Sequence, residues 1–293
     1  MRSNGDRWDI TTSVGATALA VAAARAVEGR HPDPLVEDPY AQAFVDRAGL
    51  DVKLPGTPTA DADSEGTWQA MSTYMGVRSR FFDEFFTDAA GDGVRQVVIL
   101  AAGLDARAFR LVWPDAVTVY EVDQDAVLEF KDRVLDEQSA HATVRRVPVT
   151  VDLRDDWPAA LTAAGFDPSV PTAWLAEGLL PYLPAEAEDL LFERVQQLSA
   201  PGSRIAVEHF AAASTMTADH PRFRGMQQAL GLEISELFYP EARGRTPEVH
   251  LSELGWKALA TSAKDLAVAY GRPLDDDTLE AMGRVELLEA VRL

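Results

Sequence analysis

The most constraining feature of the chain is an apolar run that leads into a turn of small residues, followed by a second apolar run that ends in an acid. The first run starts at Val97 and continues Val-Ile-Leu-Ala-Ala-Gly-Leu-Asp, and the second reads Val-Tyr-Glu-Val-Asp and ends at Asp123. This pattern predicts two buried strands and a turn whose backbone can approach a ligand closely. An acid at the end of the second strand is typical of folds that bind the ribose of an adenosyl ligand.

Beyond Gly93, short apolar segments alternate with helical ones, which predicts an α/β fold with a mostly parallel sheet and helices on both faces. The predicted strands are 95–101, 117–122, 144–150, 171–176 and 203–208, with two last strands over 256–263 and 285–293. The predicted helices between them are 124–138, 154–164 and 184–199.

The first ninety residues have a helical and irregular pattern. Helices are predicted over 12–28 and 68–86, with a loop at 51–67 between them. A further helix is expected to start with Asp38 as N-cap and Pro39 at its first position. We therefore expect a helical N-terminal region, residues 1–92, and a core, residues 93–293, with an insertion at about 211–245 over the ligand-binding edge.

Composition limits the possible partners and location. The net charge of −20 repels phosphate backbones and anionic lipid surfaces, so neither nucleic acid nor a membrane is an expected partner. No apolar run is long enough to span a bilayer and no secretion signal is recognised, so we expect a cytoplasmic protein. The chain has no cysteine, and its five histidines show no metal-ligand spacing, so no metal site is expected.

In an open parallel sheet, ligands bind beyond the carboxyl ends of the strands. Four predicted strands end in small or acidic residues, which supply Gly103, Asp123, Asp152 with Leu153, and Glu177. The Asp123 carboxylate can accept hydrogen bonds from both ribose hydroxyls, and Asp152 can accept from the adenine amine. The Leu153 backbone N–H can donate to a ring nitrogen. Asp152 alone could equally be the cap of the helix at 154–164.

The same contacts suit either NAD or S-adenosylmethionine, and two observations favour the second. Glu177 would repel a pyrophosphate but suits a sulfonium or ammonium group. The turn also lacks the second and third glycines that let a backbone approach a pyrophosphate closely. An NAD-dependent oxidoreductase remains the alternative enzyme, and a cofactor-binding protein without catalysis is the alternative outside enzymes.

Four ordered motifs resemble the leucine carboxyl methyltransferase-like family of bacterial S-adenosylmethionine-dependent methyltransferases, which is related to polyketide O-methyltransferases. They are Leu100-Ala-Ala-Gly-Leu-Asp-Ala-Arg107, Glu121-Val-Asp123, Val151-Asp-Leu-Arg-Asp-Asp-Trp157 and Ala176-Glu-Gly-Leu-Leu-Pro-Tyr-Leu183. The segment Arg78-Ser-Arg-Phe-Phe-Asp83 and the pair Gly255-Trp256 resemble it as well.

The resemblance implies a class I methyltransferase, with a seven-stranded Rossmann-like sheet whose last strand is antiparallel and a helical N-terminal lid. It implies that Gly103 approaches the methionine part of S-adenosylmethionine, and that Glu177 lies near the methionine amino group. Arg78 or its neighbour Arg80 would pair with the methionine carboxylate. The chain has Ala101 where the family usually has glycine, and alanine is tolerable there only if the backbone avoids a positive φ angle.

Methyl transfer to an oxygen of a small molecule is the predicted reaction. A hydroxyl acceptor needs a general base, whereas a carboxylate is already ionised. Candidates at the strand ends are His209, Tyr182 and Glu208, of which His209 follows the fifth strand most directly. Tyr182 is predicted to contact the acceptor, with packing as its alternative role. The sequence does not identify the acceptor or the oligomeric state.

Overall fold

The computed structural model describes residues 14–49, 67–210, 220, 237–239 and 243–293. Within these residues the chain forms a seven-stranded sheet in the order β3-β2-β1-β4-β5-β7-β6. Six of these strands run in one direction and β7 runs opposite to them, as expected for the class I methyltransferase fold. The strands are β1 Gln96–Leu100, β2 Thr118–Asp123, β3 Arg145–Thr150, β4 Thr172–Ala176, β5 Arg204–Phe210, β6 Trp256–Ser262 and β7 Val285–Arg292.

The described helices cover both faces of the sheet. They are α1 Val14–Glu28, α2 Ala41–Ala48, α3 Thr67–Gly91, α4 Arg107–Arg110, α5 Asp125–Glu137, α6 Trp157–Ala163, α7 Ala185–Gln197, α8 Pro247–Glu253, α9 Ala263–Ala269 and α10 Asp276–Met282, with a 3₁₀ helix at Leu180–Tyr182. Each predicted strand matches an observed one to within two residues at both ends. None of the described helices combines the length and the apolar character needed to cross a membrane.

Side-chain alternation along the strands divides the core into two layers. Val97, Ile99 and Val119 face α3 and pack against a cluster of its phenylalanines, which includes Phe82 and Phe86. The opposite face packs against α6, α7 and α8. It carries the central tryptophan Trp174, whose ring meets that of Trp157 edge to face with centroids 6.2 Å apart.

Two helix starts differ from the prediction. The helix expected from Asp38 begins at Ala41, because the Asp38 carboxylate closes the preceding turn by accepting from the N–H groups of Tyr40 and Ala41. The helix predicted over 154–164 begins at Trp157 and is capped by Asp156 rather than Asp152. The capping alternative for Asp152 is therefore wrong.

Helix α1 crosses α3 at a close contact that depends on a glycine. A Cβ atom at Gly76 would lie 2.8 Å from Cδ of Glu28, a side chain that is only 1% exposed. The Glu28 carboxylate accepts from the backbone N–H of Leu35 and from Arg272, at 2.9 and 2.8 Å. The absence of a side chain at Gly76 thus leaves room for Glu28, whose carboxylate ties the end of α1 to Leu35 and Arg272.

The division into residues 1–92 and 93–293 stays a prediction. Helices α1 and α3 form part of the N-terminal region, although α3 packs directly on the sheet. The predicted insertion at about 211–245 lies almost entirely outside the described residues, as does nearly all of the predicted loop at 51–67.

Candidate functional site

A cavity of about 660 Å³ lies at the carboxyl ends of the strands, between the sheet, α1 and α3. Its size is within the usual range for small-molecule sites, roughly 300–1,000 Å³. Most of the residues predicted for the site line it, namely Arg78, Ala101, Gly103, Asp123, Asp152, Leu153, Glu177 and Tyr182. The structure therefore brings together side chains and turns that are up to about a hundred residues apart in the chain.

The turn after β1 has the conformation that a close approach of backbone to ligand requires. Gly103 has a φ of 48°, and its N–H donates to Oδ2 of Asp123 at 2.6 Å. Ala101 has a φ of 52°, so the condition that its backbone avoid positive φ is not met. The turn keeps the left-handed geometry with alanine in place of glycine, at a steric cost of roughly 1–2 kcal/mol.

Asp123 stands at the end of β2 as predicted and is held by two backbone donors. The second is the N–H of Gln124, at 2.7 Å from Oδ1. Burial raises the pKa of Asp123 to about 6, against the two N–H groups, which act to lower it. The carboxylate is thus ionised at neutral pH, and each oxygen retains lone-pair capacity for a ligand hydroxyl.

Asp152 lies beside Asp123 and is linked to it through Gln124. The Gln124 amide nitrogen donates to Asp152 Oδ2 at 2.7 Å, and Arg154 forms an ion pair with the same oxygen at 2.7 Å. Burial opposes ionisation of Asp152, but the hydrogen bonds from Arg154 outweigh it and lower the pKa of the carboxyl. Asp152 and Leu153 line the cavity at its β3 end, the position predicted for adenine.

Arg78 and Glu177 meet at the opposite end of this row, where β4 and β5 end. Arg78 Nε lies 3.0 Å from Glu177 Oε1, an ion pair without hydrogen-bond geometry. Arg78 Nη1 donates to both carboxylate oxygens of Glu208, at 3.2 and 2.9 Å. The same carboxylate accepts from the Tyr74 hydroxyl and, at 2.8 Å, from the N–H of Gly178. Arg80, the alternative to Arg78, instead pairs with Glu84 on an exposed helix face.

A second buried arginine connects the turn, α3 and β4. Arg107 is 3% exposed and forms ion pairs with Asp83, Asp105 and Glu177. Although burial opposes it, the Arg107 guanidinium lowers the pKa of Asp105 to about 2. Arg110 completes the network through Asp83. Three arginines thus face four carboxylates, and the ends of β1, β4 and β5 are fixed relative to one another.

The prediction missed the structural roles of Arg107 and Glu208. Arg107 lies inside the first motif that carries the family resemblance, and a charged residue within an Ala-rich turn was the available signal. Glu208 was considered only as a base. Its carboxylate is fully buried and engaged by three donors, so its evident role is to hold Arg78.

His209 does not line the cavity, which does not support its predicted role as general base. Strand β5 extends to Phe210, so His209 shares a face with Ile205 and Val207 on the α7 side of the sheet. Glu208 and Phe210 point the other way, into the cavity. Burial lowers the pKa of His209 to about 4, and its Nε2 has no hydrogen-bond partner among the described residues.

Tyr182 lines the cavity from the 3₁₀ helix that follows β4. Its hydroxyl donates to Thr17 Oγ1 of α1 at 3.1 Å, and its ring meets that of Phe238 with centroids 5.2 Å apart. The position suits both predicted roles, contact with an acceptor and packing of α1 against the core.

Comparison with known proteins agrees with the fold and identifies the family. The sequence model of the leucine carboxyl methyltransferase family matches residues 18–196. A protein of Rhodococcus jostii assigned as an S-adenosyl-L-methionine-dependent methyltransferase is 52% identical over 279 residues, which is 94% of each chain. A protein of Mycolicibacterium smegmatis with the same assignment is 48% identical over 306 residues, which is 100% of this chain and 96% of the relative.

Two solved structures share the fold. One, described as a methyltransferase from Thermobifida fusca, superposes with a TM-score of 0.50 at 19% identity, over 93% of this chain and 94% of that one. The other, a DUF574 family protein from Streptomyces avermitilis, gives a TM-score of 0.53 at 14% identity, over 94% and 97%. At such identities the likeness shows the fold alone.

Fold and cavity define a Rossmann-like protein of the class I methyltransferase type. The chain belongs to the leucine carboxyl methyltransferase family, and it is an S-adenosylmethionine-dependent methyltransferase. The predicted family, fold and cofactor are confirmed. The alternatives, an NAD-dependent oxidoreductase and a cofactor-binding protein without catalysis, are not favoured.

Proposed function

We propose that the protein transfers a methyl group from S-adenosylmethionine to a carboxylate oxygen of a small molecule. The choice of acceptor rests on one observation: neither the histidine nor the glutamates at the strand ends are available as a base. His209 lies outside the cavity, and both Glu177 and Glu208 are committed to arginines. Among the described residues of the cavity we find no well-placed base for a hydroxyl, whereas a carboxylate needs none.

The residues at the strand ends fit the three parts of S-adenosylmethionine. Asp123 would accept from the ribose, and Asp152 with the Leu153 N–H would hold adenine. The contacts of Arg78 engage Nη1 and Nε, which leaves the N–H groups of Nη2 for the methionine carboxylate. Glu177 carries the negative charge that suits the amino group.

Bound S-adenosylmethionine supplies an electrophilic methyl group on a sulfonium. In the proposed reaction a carboxylate oxygen forms a bond to the methyl carbon, the carbon–sulfur bond breaks, and its electron pair stays on sulfur. An anion and a cation become a neutral ester and a neutral thioether, and no proton moves. The walls of the cavity position the two reactants and exclude water, which favours a transition state less charged than its reactants.

A binding experiment tests the cofactor half of the site. Isothermal titration with S-adenosylhomocysteine should show binding to the wild type. Asp123→Ala should weaken the binding free energy by roughly 1.5–3 kcal/mol, the usual value of hydrogen bonds to a charged group. Asp125→Ala, in the first turn of α5 and outside the cavity lining, is the matched control and should bind as the wild type does. Equal affinity of the Asp123 variant would contradict the ribose assignment.

The product distinguishes a carboxylate acceptor from a hydroxyl. A methyl ester is hydrolysed by mild alkali and releases methanol, whereas a methyl ether or a methylamine does not. With methyl-labelled S-adenosylmethionine and a mixed panel of small acids, alcohols and amines, we expect alkali-released volatile label. Transfer that gives only alkali-stable products would refute the carboxylate proposal while leaving methyl transfer intact.

A further inference from the structure

Beyond the residues assigned to S-adenosylmethionine, one side of the cavity is apolar. Val21 of α1, Met71 and Met75 of α3, Phe210 of β5 and Met282 of α10 line it, and together we call them the apolar wall. All five belong to one hydrophobic cluster, so the wall is a continuous surface built by four elements. None of the five side chains carries a charge or a hydrogen-bonding group.

The order of the strands places the apolar wall on the methyl side of the cofactor. Adenine and ribose are assigned to the ends of β3 and β2, and the methionine part to the ends of β1 and β4. Phe210 ends β5, the next strand along, and pairs with Val285 at the start of β7. Adjacent strands are about 4.8 Å apart, so the wall begins about one strand spacing beyond Glu177.

The charged groups nearest the wall are already paired. Tyr74 precedes Met75 on α3, and its hydroxyl donates to Glu208, which in turn holds Arg78. This group marks the boundary between the charged half of the cavity and the apolar half. A polar or charged body placed against the wall would lose its hydration without gaining partners from these five residues.

We propose that the methyl acceptor is a small carboxylic acid with an apolar body, and that this body packs against the apolar wall. The inference rests on the proposed function and adds the class of substrate. The carboxylate would face the methyl group near the boundary formed by Tyr74 and Arg78. The hydrocarbon part would extend toward Phe210 and Met282, where burial of apolar surface supplies the binding energy.

A series of acids tests the inference through alkali-released methanol. From acetate through butanoate and hexanoate to octanoate, we expect kcat/KM to rise by about fourfold per methylene until the wall is covered. Adipate has the six carbons of hexanoate but a second carboxylate at its far end, and its kcat/KM should be at least roughly tenfold lower. Similar values for acetate, hexanoate and adipate would overturn the inference while leaving carboxylate methylation standing.

Variants of the wall provide the second arm. Met71→Gln and Met282→Gln change partly buried side chains of similar length and should lower kcat/KM for octanoate by roughly tenfold. Affinity for S-adenosylhomocysteine should change less than twofold, which also reports that the variants fold. Leu259→Gln, on an edge strand with its side chain 69% exposed, is the matched control and should behave as the wild type does. Equal loss in the control, or none in the wall variants, would overturn the inference.

Failure of the proposed carboxylate acceptor would give a different result from failure of the apolar-wall inference. Methylation of octanol but of no acid, with the same dependence on chain length, would contradict the carboxylate acceptor and support the apolar body. Binding of octanoate to the protein saturated with S-adenosylhomocysteine is measured by calorimetry in parallel. Absence of that binding would overturn the inference, whatever the activity assay gives.

Discussion

Replacing Ala101 by glycine should relieve strain that the binding turn carries. Ala101 has a φ of 52°, a region that costs a residue with a Cβ atom roughly 1–2 kcal/mol. Glycine removes this cost but adds about 0.5–1 kcal/mol through its greater freedom in the unfolded chain. The methyl group of Ala101 is only partly buried, so its loss costs well under the roughly 0.8 kcal/mol of a fully buried group. We therefore expect the free energy of unfolding of Ala101→Gly to be equal to that of the wild type or higher by up to about 1 kcal/mol.

The adjacent Ala102 offers a matched control, because it is 4% exposed and is not among the residues with positive φ. Ala102→Gly incurs the same unfolded-state cost and loses a buried methyl group, with no strain to relieve. The free energy of unfolding should therefore be higher for Ala101→Gly than for Ala102→Gly by at least about 1–2 kcal/mol. Urea denaturation of both variants without ligand measures this difference. Equal destabilisation by the two substitutions would refute the strain argument.

Three further predictions concern Asp123 and His209. Because the Asp123 carboxylate must be ionised to accept from ribose and its pKa is about 6, affinity for S-adenosylhomocysteine should be roughly tenfold weaker at pH 5 than at pH 7. Calorimetry at both values tests this, and Asp123→Asn, which cannot ionise, should give a flat profile. His209→Gln should keep kcat within about twofold of wild type, since His209 lies outside the cavity. A larger loss of kcat would support His209 as a general base. The pKa of His209 is about 4 when folded and about 6.5 when unfolded, so the unfolded chain binds more protons between these values. The free energy of unfolding of the wild type should therefore fall by up to about 3 kcal/mol as pH falls through that window. Urea denaturation of His209→Gln should not show this decrease, because the variant lacks the titrating imidazole.

Alternation of apolar and helical segments was enough to predict the seven strands and the three helices at 124–138, 154–164 and 184–199. The central strands β1 and β4 are buried along their whole length, which makes their apolar runs easy to recognise. The ends of strands were harder to predict. Strand β5 was expected to end at residue 208, which put His209 in a loop above the sheet. The strand continues to Phe210, and since side chains alternate between faces, the extension directs His209 away from the cavity.

Ion pairs across the site could not be predicted from local pattern. Arg107 and Glu177 are seventy residues apart and meet because β1 and β4 are neighbours in the sheet. The sequence indicated that both lie near strand ends but not that they bond to each other. The conformation of Ala101 could not be predicted for a related reason. The propensity of alanine disfavours positive φ, and the surrounding turn, with the Ala102 N–H bonded to the Val122 carbonyl at 3.0 Å, imposes it.

The apolar wall and the binding turn draw on different parts of the chain, and this separation bears on how such proteins diversify. The residues proposed to hold the donor follow β1 to β4, apart from Arg78 of α3, whereas the wall comes from α1, α3, β5 and α10. A substitution at Met71 or Met282 can reshape the space proposed for the acceptor without moving Asp123 or Gly103. New acceptor preferences can therefore arise by single mutations in descendants that inherit an unaltered donor site, and the same positions are the natural choice for laboratory evolution of the enzyme.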